Sequence, residues 1–266
     1  MNYGEELGFA KDLAREAGKM IRDAFVAGVT HTWKADSTPL TETDEAINAL
    51  VIQRVTQAFP DHGVIGEEGN IREDKKLKWV CDPIDGTMSF SHGVQVSTFA
   101  LALTDDAGQP VVAVIYDPYM DRLFSAVKGE GAFLNDRPIH VSDQTTLEHA
   151  LIEADAFPST RPVIDADADL FNVLRSKGAY VTSTWSVILL AGLVAAGHYA
   201  AALLNVDNCH DAAAPKLIVE EAGGKVTDLQ GNDQRYDQST RGFIASNGHI
   251  HAELVKLLSS YDLVQK

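Results

Sequence analysis

An α+β first half running into an α/β second half is the fold class this sequence predicts, on three observations. Two stretches near the start carry apolar residues at helical spacing, a series of short β-rich apolar runs comes next, and beyond residue 150 strand-like and helix-like stretches alternate. The chain has 266 residues, 45% of them hydrophobic, which suffices to bury a large core in one domain or in two closely packed halves.

The first helix is expected over 3–27, where Leu7, Ala10, Ala14, Ala17, Ile21 and Phe25 recur at three and four residues and Glu5 and Glu6 sit near the start. A second helix carries Ala46, Ile47, Leu50, Val51, Val55 and Phe59. It begins after Thr41-Glu42-Thr43-Asp44, whose hydroxyls and carboxylates suit a helix start and put Asp44 in or beside the first turn. Strands are expected at 63–65, 79–81, 96–103, 111–116 and 123–127, each apolar and bounded by Asp, Gly or Pro. The second half should alternate: strand 150–154, helix 167–176, strand 179–183, an Ala/Leu-rich helix 185–197, strand 199–205, helix 211–222, two short strands and a helix from 248. No linker-like composition separates the halves, so the boundary is drawn near 145, giving 1–145 and 146–266.

Lys and Arg total 22 against 38 Asp and Glu, a net charge of −16 that repels a phosphate backbone or an anionic lipid surface. Neither nucleic acid nor membrane is therefore expected as a partner. An anionic substrate would need a local reversal of that field, and a metal ion held by some of the acids is the natural source. The longest apolar runs, such as 187–196, fall short of the ~18 residues that span a bilayer. The N-terminus lacks the apolar core and cleavage site of a secretory signal, so a cytoplasmic protein is expected. Cys81 and Cys209 form no CxxC pair and are expected to be reduced thiols.

The densest polar cluster is Cys81-Asp82-Pro83-Ile84-Asp85-Gly86-Thr87, directly after an apolar strand. A proline-stiffened turn can aim Asp82 and Asp85 into one spot, as a hard divalent cation requires. Gly86 and Thr87 can then open a short helix whose amides face an anion. Taken alone, the segment suits an ordinary Asp-Pro and Asp-Gly turn equally well. Glu67 and Glu68 end another short strand, and Asp211 starts a helix after a strand, positions where α/β folds collect ligands. Singly, they read as solvated surface acids and a helix cap.

In order along the chain, Lys34-x-Asp36-x-Thr38-Pro39-Leu40-Thr41-x-x-Asp44, Gly66-Glu67-Glu68, Asp82-Pro83-Ile84-Asp85-Gly86-Thr87, and Asp211-x-Ala213-Ala214 with Glu221-Ala222-Gly223-Gly224 resemble the inositol monophosphatase family of Mg²⁺-dependent, lithium-sensitive phosphatases. The resemblance covers essentially the whole chain. It implies a layered αβαβα sandwich of the inositol monophosphatase and fructose-1,6-bisphosphatase type, and a homodimer. It implies two to three Mg²⁺ per site: the first on Glu67, Asp82 and the Ile84 carbonyl, the second on Asp82, Asp85 and Asp211, and a weaker third near Glu67. Asp44 and Thr87 would orient or deprotonate the attacking water, with Glu67 helping to place it. The implied activity is hydrolysis of a small phosphate monoester, of the inositol or sugar phosphate class, with histidinol phosphate and 3′-phosphoadenosine 5′-phosphate as alternatives. A non-catalytic regulatory homologue is the reading from another class, and retention of Asp44, Asp85 and Thr87 counts against it.

The alcohol side departs from the family pattern. His210 stands where an aromatic residue usually precedes the second-half aspartate, Leu204 beside Asn205 stands where an acid is expected, and Trp185-Ser186-Val187 replaces a Gly-Ser/Thr-Ala step. As substrate-side residues, Trp185, Val187 and Leu204 predict a narrower, more apolar pocket than inositol needs; as packing residues, they would say nothing about it. His210 is either a packed neighbour of Asp211 or a hydrogen-bond donor to a metal-bound carboxylate. His92 and His140 are expected on the surface or in loops.

Overall fold

The computed structural model describes residues 3–35, 38–155, 164–205 and 207–260, so Asp36 lies outside the described residues. Helix α1 (Gly4–Ala27) is followed by the short strands β1 (Thr32–Trp33) and β2 (Pro39–Leu40) and by α2 (Glu42–Ala58). Helix α2 opens with a reciprocal cap: the Asp44 N–H donates to Thr41 Oγ1, and the Asp44 carboxylate accepts from the Thr41 N–H at 2.9 Å.

Eight strands form the first sheet: β3 (Gly63–Gly66), β4 (Gly69–Ile71), β5 (Lys78–Asp85), β6 (Thr98–Thr104), β7 (Pro110–Asp117), β8 (Arg122–Val127), β9 (Ala132–Leu134) and β10 (Arg137–Pro138), with the short helix α3 (Thr87–Ser91) between β5 and β6. The second sheet has β11 (Leu151–Asp155), β12 (Tyr180–Thr182), β13 (Ala201–Leu204), β14 (Lys225–Thr227) and β15 (Phe243–Ser246), in the order β12-β11-β13-β15-β14. Its helices are α4 (Ile164–Ser176), α5 (Val187–Ala195), α6 (Cys209–Glu221) and α7 (His251–Ser260).

Side-chain alternation along the strands builds the layers. On β6, Phe99, Leu101 and Leu103 face outward and pack with Leu13 and Ile21 of α1 and Ile47 of α2. Ala100 and Ala102 face the other way, and their small size lets Ile188 of α5 and Ala213 and Ala214 of α6 come close. Ala202, Leu204, Phe243 and Ala245 of the second sheet close over the same two helices. The far face of that sheet, with Ala201, Leu203 and Ile244, packs with Leu174 of α4 and Leu254 and Leu258 of α7. The result is the expected αβαβα sandwich, with α5 and α6 as its shared middle layer. Strands buried on both faces read as continuous apolar runs, which is why they stood out in the sequence.

Several boundaries move. The strand expected at 79–81 extends through the aspartates to Asp85. The helix expected at 185–197 is only Val187–Ala195, because Trp185 has a φ of 63° and Gly197 a φ of 76°, left-handed values that no helix interior accepts. Helix α6 starts at Cys209, which puts Asp211 inside its first turn rather than at its first residue. Cys81 and Cys209 are buried free thiols, and His92 and His140 are exposed. Among the described residues, no helix is long and apolar enough to cross a membrane.

Candidate active site

A bulge in β5 brings the central aspartates together. Asp82 lies opposite Ala100 on β6, yet Asp85 lies opposite Thr98, so the register slips by one residue between them. On a regular strand, residues three apart point to opposite faces; one extra residue returns them to the same side. Pro83, at the slip, has no N–H to leave unpaired. The turn expected from the sequence is thus a kinked strand with the same chemical effect. Asp82, Asp85 and Asp211 bring carboxylate oxygens within 4.8 Å of one another.

Register also delivers Glu67. Strands β3 and β5 are parallel with Gly66 beside Cys81, and the Glu67 N–H donates to the Cys81 carbonyl at 3.1 Å, so the Glu67 turn sits alongside Asp82. Lys34 reaches over from the β1–β2 hairpin to Glu67 at 2.8 Å and to Glu68. Burial alone would lower the Lys34 pKa, but the two carboxylates outweigh it and hold the ammonium above its ordinary range. These are therefore not the freely solvated surface acids that either glutamate suggests singly.

Asp44 divides its two oxygens between tasks. Oδ2 is tied to the Thr41 N–H and hydroxyl by the α2 cap, which leaves Oδ1 facing Thr87 Oγ1 at 3.3 Å. Thr87 Oγ1 also lies 2.8 Å from the Ile84 carbonyl. Gly86, before it, has a φ of 80°, and a Cβ there would lie 2.8 Å from the Trp185 carbonyl, so only glycine lets the segment leading into α5 lie close against this corner.

Asp85 is the best-held ligand candidate. Its Oδ2 accepts from Thr98 Oγ1 (3.1 Å), Ser186 Oγ (2.7 Å) and the Ile188 and Leu189 amides (3.1 and 3.3 Å) at the start of α5. A carboxylate of the first sheet thereby caps a helix of the middle layer. Neither Thr98 nor the α5 amides carried any local sequence signal, and Lys34 was visible only as a motif letter without a role.

The substrate-side expectations need correction. Ser186 is fully buried with its hydroxyl on Asp85, so it positions a carboxylate instead of lining a pocket. Val187 (3% exposed) and Leu204 (1%) pack inside the core of the middle layer, because even positions of β13 face α5 and α6. Trp185 is half-buried beside Gly86, and Asn205 is exposed. His210 places Nε2 3.9 Å from Asp211 Oδ2, and burial lowers its pKa, which favours a neutral ring that adds no charge to the site.

Without a counter-ion the acids raise one another. Burial, then Glu67, Asp85, Asp211 and Asp44, push Asp82 far above the carboxylate range. Burial likewise lifts Asp44 to about 7 against its Thr41 hydrogen bonds, Asp85 to about 7 against that from Ser186, and Asp211 to about 7 with help from Glu67. Asp82 Oδ1 is buried with no hydrogen-bond partner among the described residues. An orphaned carboxylate oxygen amid clustered oxygen donors, with no sulfur or imidazole in the set, fits a hard divalent cation such as Mg²⁺.

Comparison with known proteins places the chain in a family. The sequence matches the Inositol monophosphatase family over residues 3–263. It is 34% identical over 262 residues to Inositol monophosphatase 3 of Solanum lycopersicum, covering 95% of this chain and 96% of the relative. It is 32% identical to the Histidinol-phosphatase of Chlorobaculum parvum, covering 96% and 97%. The inositol monophosphatase structure from Anabaena (Nostoc) superposes with a TM-score of 0.86 at 29% identity, covering 98% of both chains. The chain therefore belongs to the inositol monophosphatase family, whose members are phosphoric monoester hydrolases.

Proposed function

We propose that this protein is a Mg²⁺-dependent phosphomonoesterase for a small phosphorylated metabolite less rich in hydroxyls than inositol. The observation that carries the reading is the convergence of Asp82, Asp85 and Asp211 on one spot beside the Asp44–Thr87 pair. Asp82, Asp85 and Asp211 would hold one cation, and Glu67, Asp82 and the Ile84 carbonyl a second. Bound Mg²⁺ supplies charge stabilisation for the phosphoryl oxygens and acidifies water at the site.

The chain's own groups supply the rest. Asp44 Oδ1, 3.3 Å from Thr87 Oγ1, is placed to take a proton from the attacking water, which Thr87 Oγ1 orients. Lys34 holds Glu67 and Glu68 in place. Gly86 and the start of α3 give backbone donors for the phosphate.

The preference for a leaner alcohol rests on missing partners. With the Ser186 hydroxyl committed to Asp85, one expected alcohol-side partner is withdrawn, and Asn205 is the exposed polar side chain that remains among those expected before Asp211. Each inositol hydroxyl left without a partner costs about 1 to 3 kcal/mol. A panel of inositol 1-phosphate, fructose 1,6-bisphosphate, histidinol phosphate and 3′-phosphoadenosine 5′-phosphate, assayed for phosphate release with Mg²⁺ and with chelator, tests the reading. Chelator-sensitive release with inositol 1-phosphate outranked in kcat/KM is expected. Inositol 1-phosphate ranking first would overturn the substrate preference, and chelator-insensitive release would overturn the metal assignment.

A further inference from the structure

Glu153 on β11 lies outside the acidic cluster, is 0% exposed and takes no part in the proposed chemistry. A carboxyl group taken out of water needs its oxygens filled. Its Oε2 accepts from Thr182 Oγ1, and its Oε1 accepts from both the Thr184 N–H and Thr184 Oγ1, the latter at 2.7 Å. The acceptor-only group thus gathers three donors from the end of β12 and the residues after it.

Those residues lead directly to the cation cluster. The Thr184 carbonyl accepts from Ser89 Oγ of α3 at 2.9 Å, which ties the same residue to the helix that Thr87 opens. Trp185 comes next with a φ of 63°, a conformation that a bulky residue keeps only when both flanks are restrained. Ser186 then gives its hydroxyl to Asp85 Oδ2, and the Ile188 and Leu189 amides join it there. Residues 182–189 therefore run from one buried carboxylate to another, from Glu153 in the second sheet to Asp85 at the cluster.

We propose that Glu153 is a positioning residue for the metal site, holding Thr182 and Thr184 so that Ser186 and the first amides of α5 stay on Asp85 Oδ2 and leave Oδ1 for the cation. This deepens the metal-dependent reading above and rests on it. Groups that hold a metal ligand from behind alter metal affinity by about 10- to 100-fold when removed. Because Glu153 acts through a second residue, the lower figure applies. Glutamine at 153 keeps an oxygen for Thr184, and its amide can donate to a Thr182 hydroxyl turned to accept, so the charge matters less than the two filled acceptor positions.

The test is calorimetric titration of the full chain with MgCl₂ in the absence of substrate, alongside thermal unfolding. Glu153→Leu is expected to weaken Mg²⁺ binding about tenfold at a temperature well below its unfolding transition, and Glu153→Gln to recover most of the loss. In an Asp85→Asn background, Glu153→Leu should weaken binding no further, because the residue through which it acts is already altered. Thr184→Val, which removes one donor and keeps the shape, supplies the same comparison if Glu153→Leu does not fold. Wild-type Mg²⁺ affinity in a folded Glu153→Leu or Thr184→Val variant overturns the proposal, as does an equal loss in both backgrounds. Failure of the unaltered protein to bind Mg²⁺ overturns the metal reading and this proposal with it, a result separable from variant effects measured against a binding parent.

Discussion

Asp85 shows how one side chain can be a structural cap and a ligand candidate together. Four donors crowd Oδ2, from β6, from Ser186 and from α5, while a carboxylate oxygen of Asp85 lies within 4.8 Å of one each from Asp82 and Asp211. Asp85→Asn keeps the size but replaces one oxygen by a donor and removes the charge, so kcat/KM should fall on the order of 10²-fold or more. Ser186→Ala removes one donor of four and leaves the amides, so its loss should be smaller, about tenfold, and accompanied by a need for higher Mg²⁺ concentration rather than a higher substrate KM. A Ser186→Ala enzyme changed in KM alone would return Ser186 to the substrate pocket. Asp85 was legible from its motif; Ser186 was legible only as a position, since its partner stands 101 residues away.

Among the elements, β13 and the start of α5 govern what the alcohol side can be. Leu204 is a core residue of the middle layer, so Leu204→Glu places a carboxylate among Val187, Phe243 and Ala213, apolar side chains that offer it no donor. Such a burial should destabilise the fold by about 4 kcal/mol or more, visible as a large drop in the urea midpoint, and should not create an inositol contact. Trp185→Gly is milder, because glycine accepts the left-handed φ of 63° freely while the half-buried ring is lost; the two offset, and stability should change by no more than about 1 kcal/mol in the same measurement. At the joint of β14, β15 and α7, buried His251 bridges Thr227 and Ser246. Thr227 donates to the Asp228 carbonyl and so accepts from His251 Nε2–H, while Ser246 donates to Nδ1, which makes the neutral ring fully satisfied. Burial first, then Lys225 and Lys216, lower its pKa to about 4. Below pH 6.5 the unfolded chain takes up a proton that the folded one refuses, so stability falls as pH drops from about 6.5 to 4. His251→Gln should flatten that part of the pH profile in urea unfolding; an unchanged slope would assign it to other groups.

For the whole molecule, the acidic cluster couples stability to cation and pH. Asp44, Asp85 and Asp211 sit at about 7 in the folded chain against an ordinary 3.8, so the metal-free fold prefers them protonated. Their contribution is full below about pH 4 and is lost as pH rises through 7, where three like charges become confined together. Mg²⁺ binds the deprotonated form and offsets that loss. The rise in Tm on adding Mg²⁺ should therefore be larger at pH 8 than at pH 5.5, and an equal rise at both would show that these acids do not hold the ion.

The succession of an α+β half and an α/β half could be read along the chain, whereas the layered αβαβα order, the grouping of Glu67 with Asp82, Asp85 and Asp211, and the pairing of Asp44 with Thr87 were implied by the resemblance of its motifs to a known family. Helical periodicity, doubly buried apolar runs and carboxylates at strand ends are recorded among neighbouring residues, where a reader of the sequence can find them. Only the folded arrangement settles that Leu204 faces the middle layer, that a bulge and not a turn aligns Asp82 with Asp85, and that the Ser186 and Glu153 side chains lie behind the site, on Asp85 and on Thr184. In a strand buried on both sides, hydrophobicity does not tell one face from the other, and only register does. The Ser186–Asp85 hydrogen bond joins groups that meet only after the two sheets have closed on their shared helices, and the Thr184–Glu153 bond needs β11 and β12 already paired.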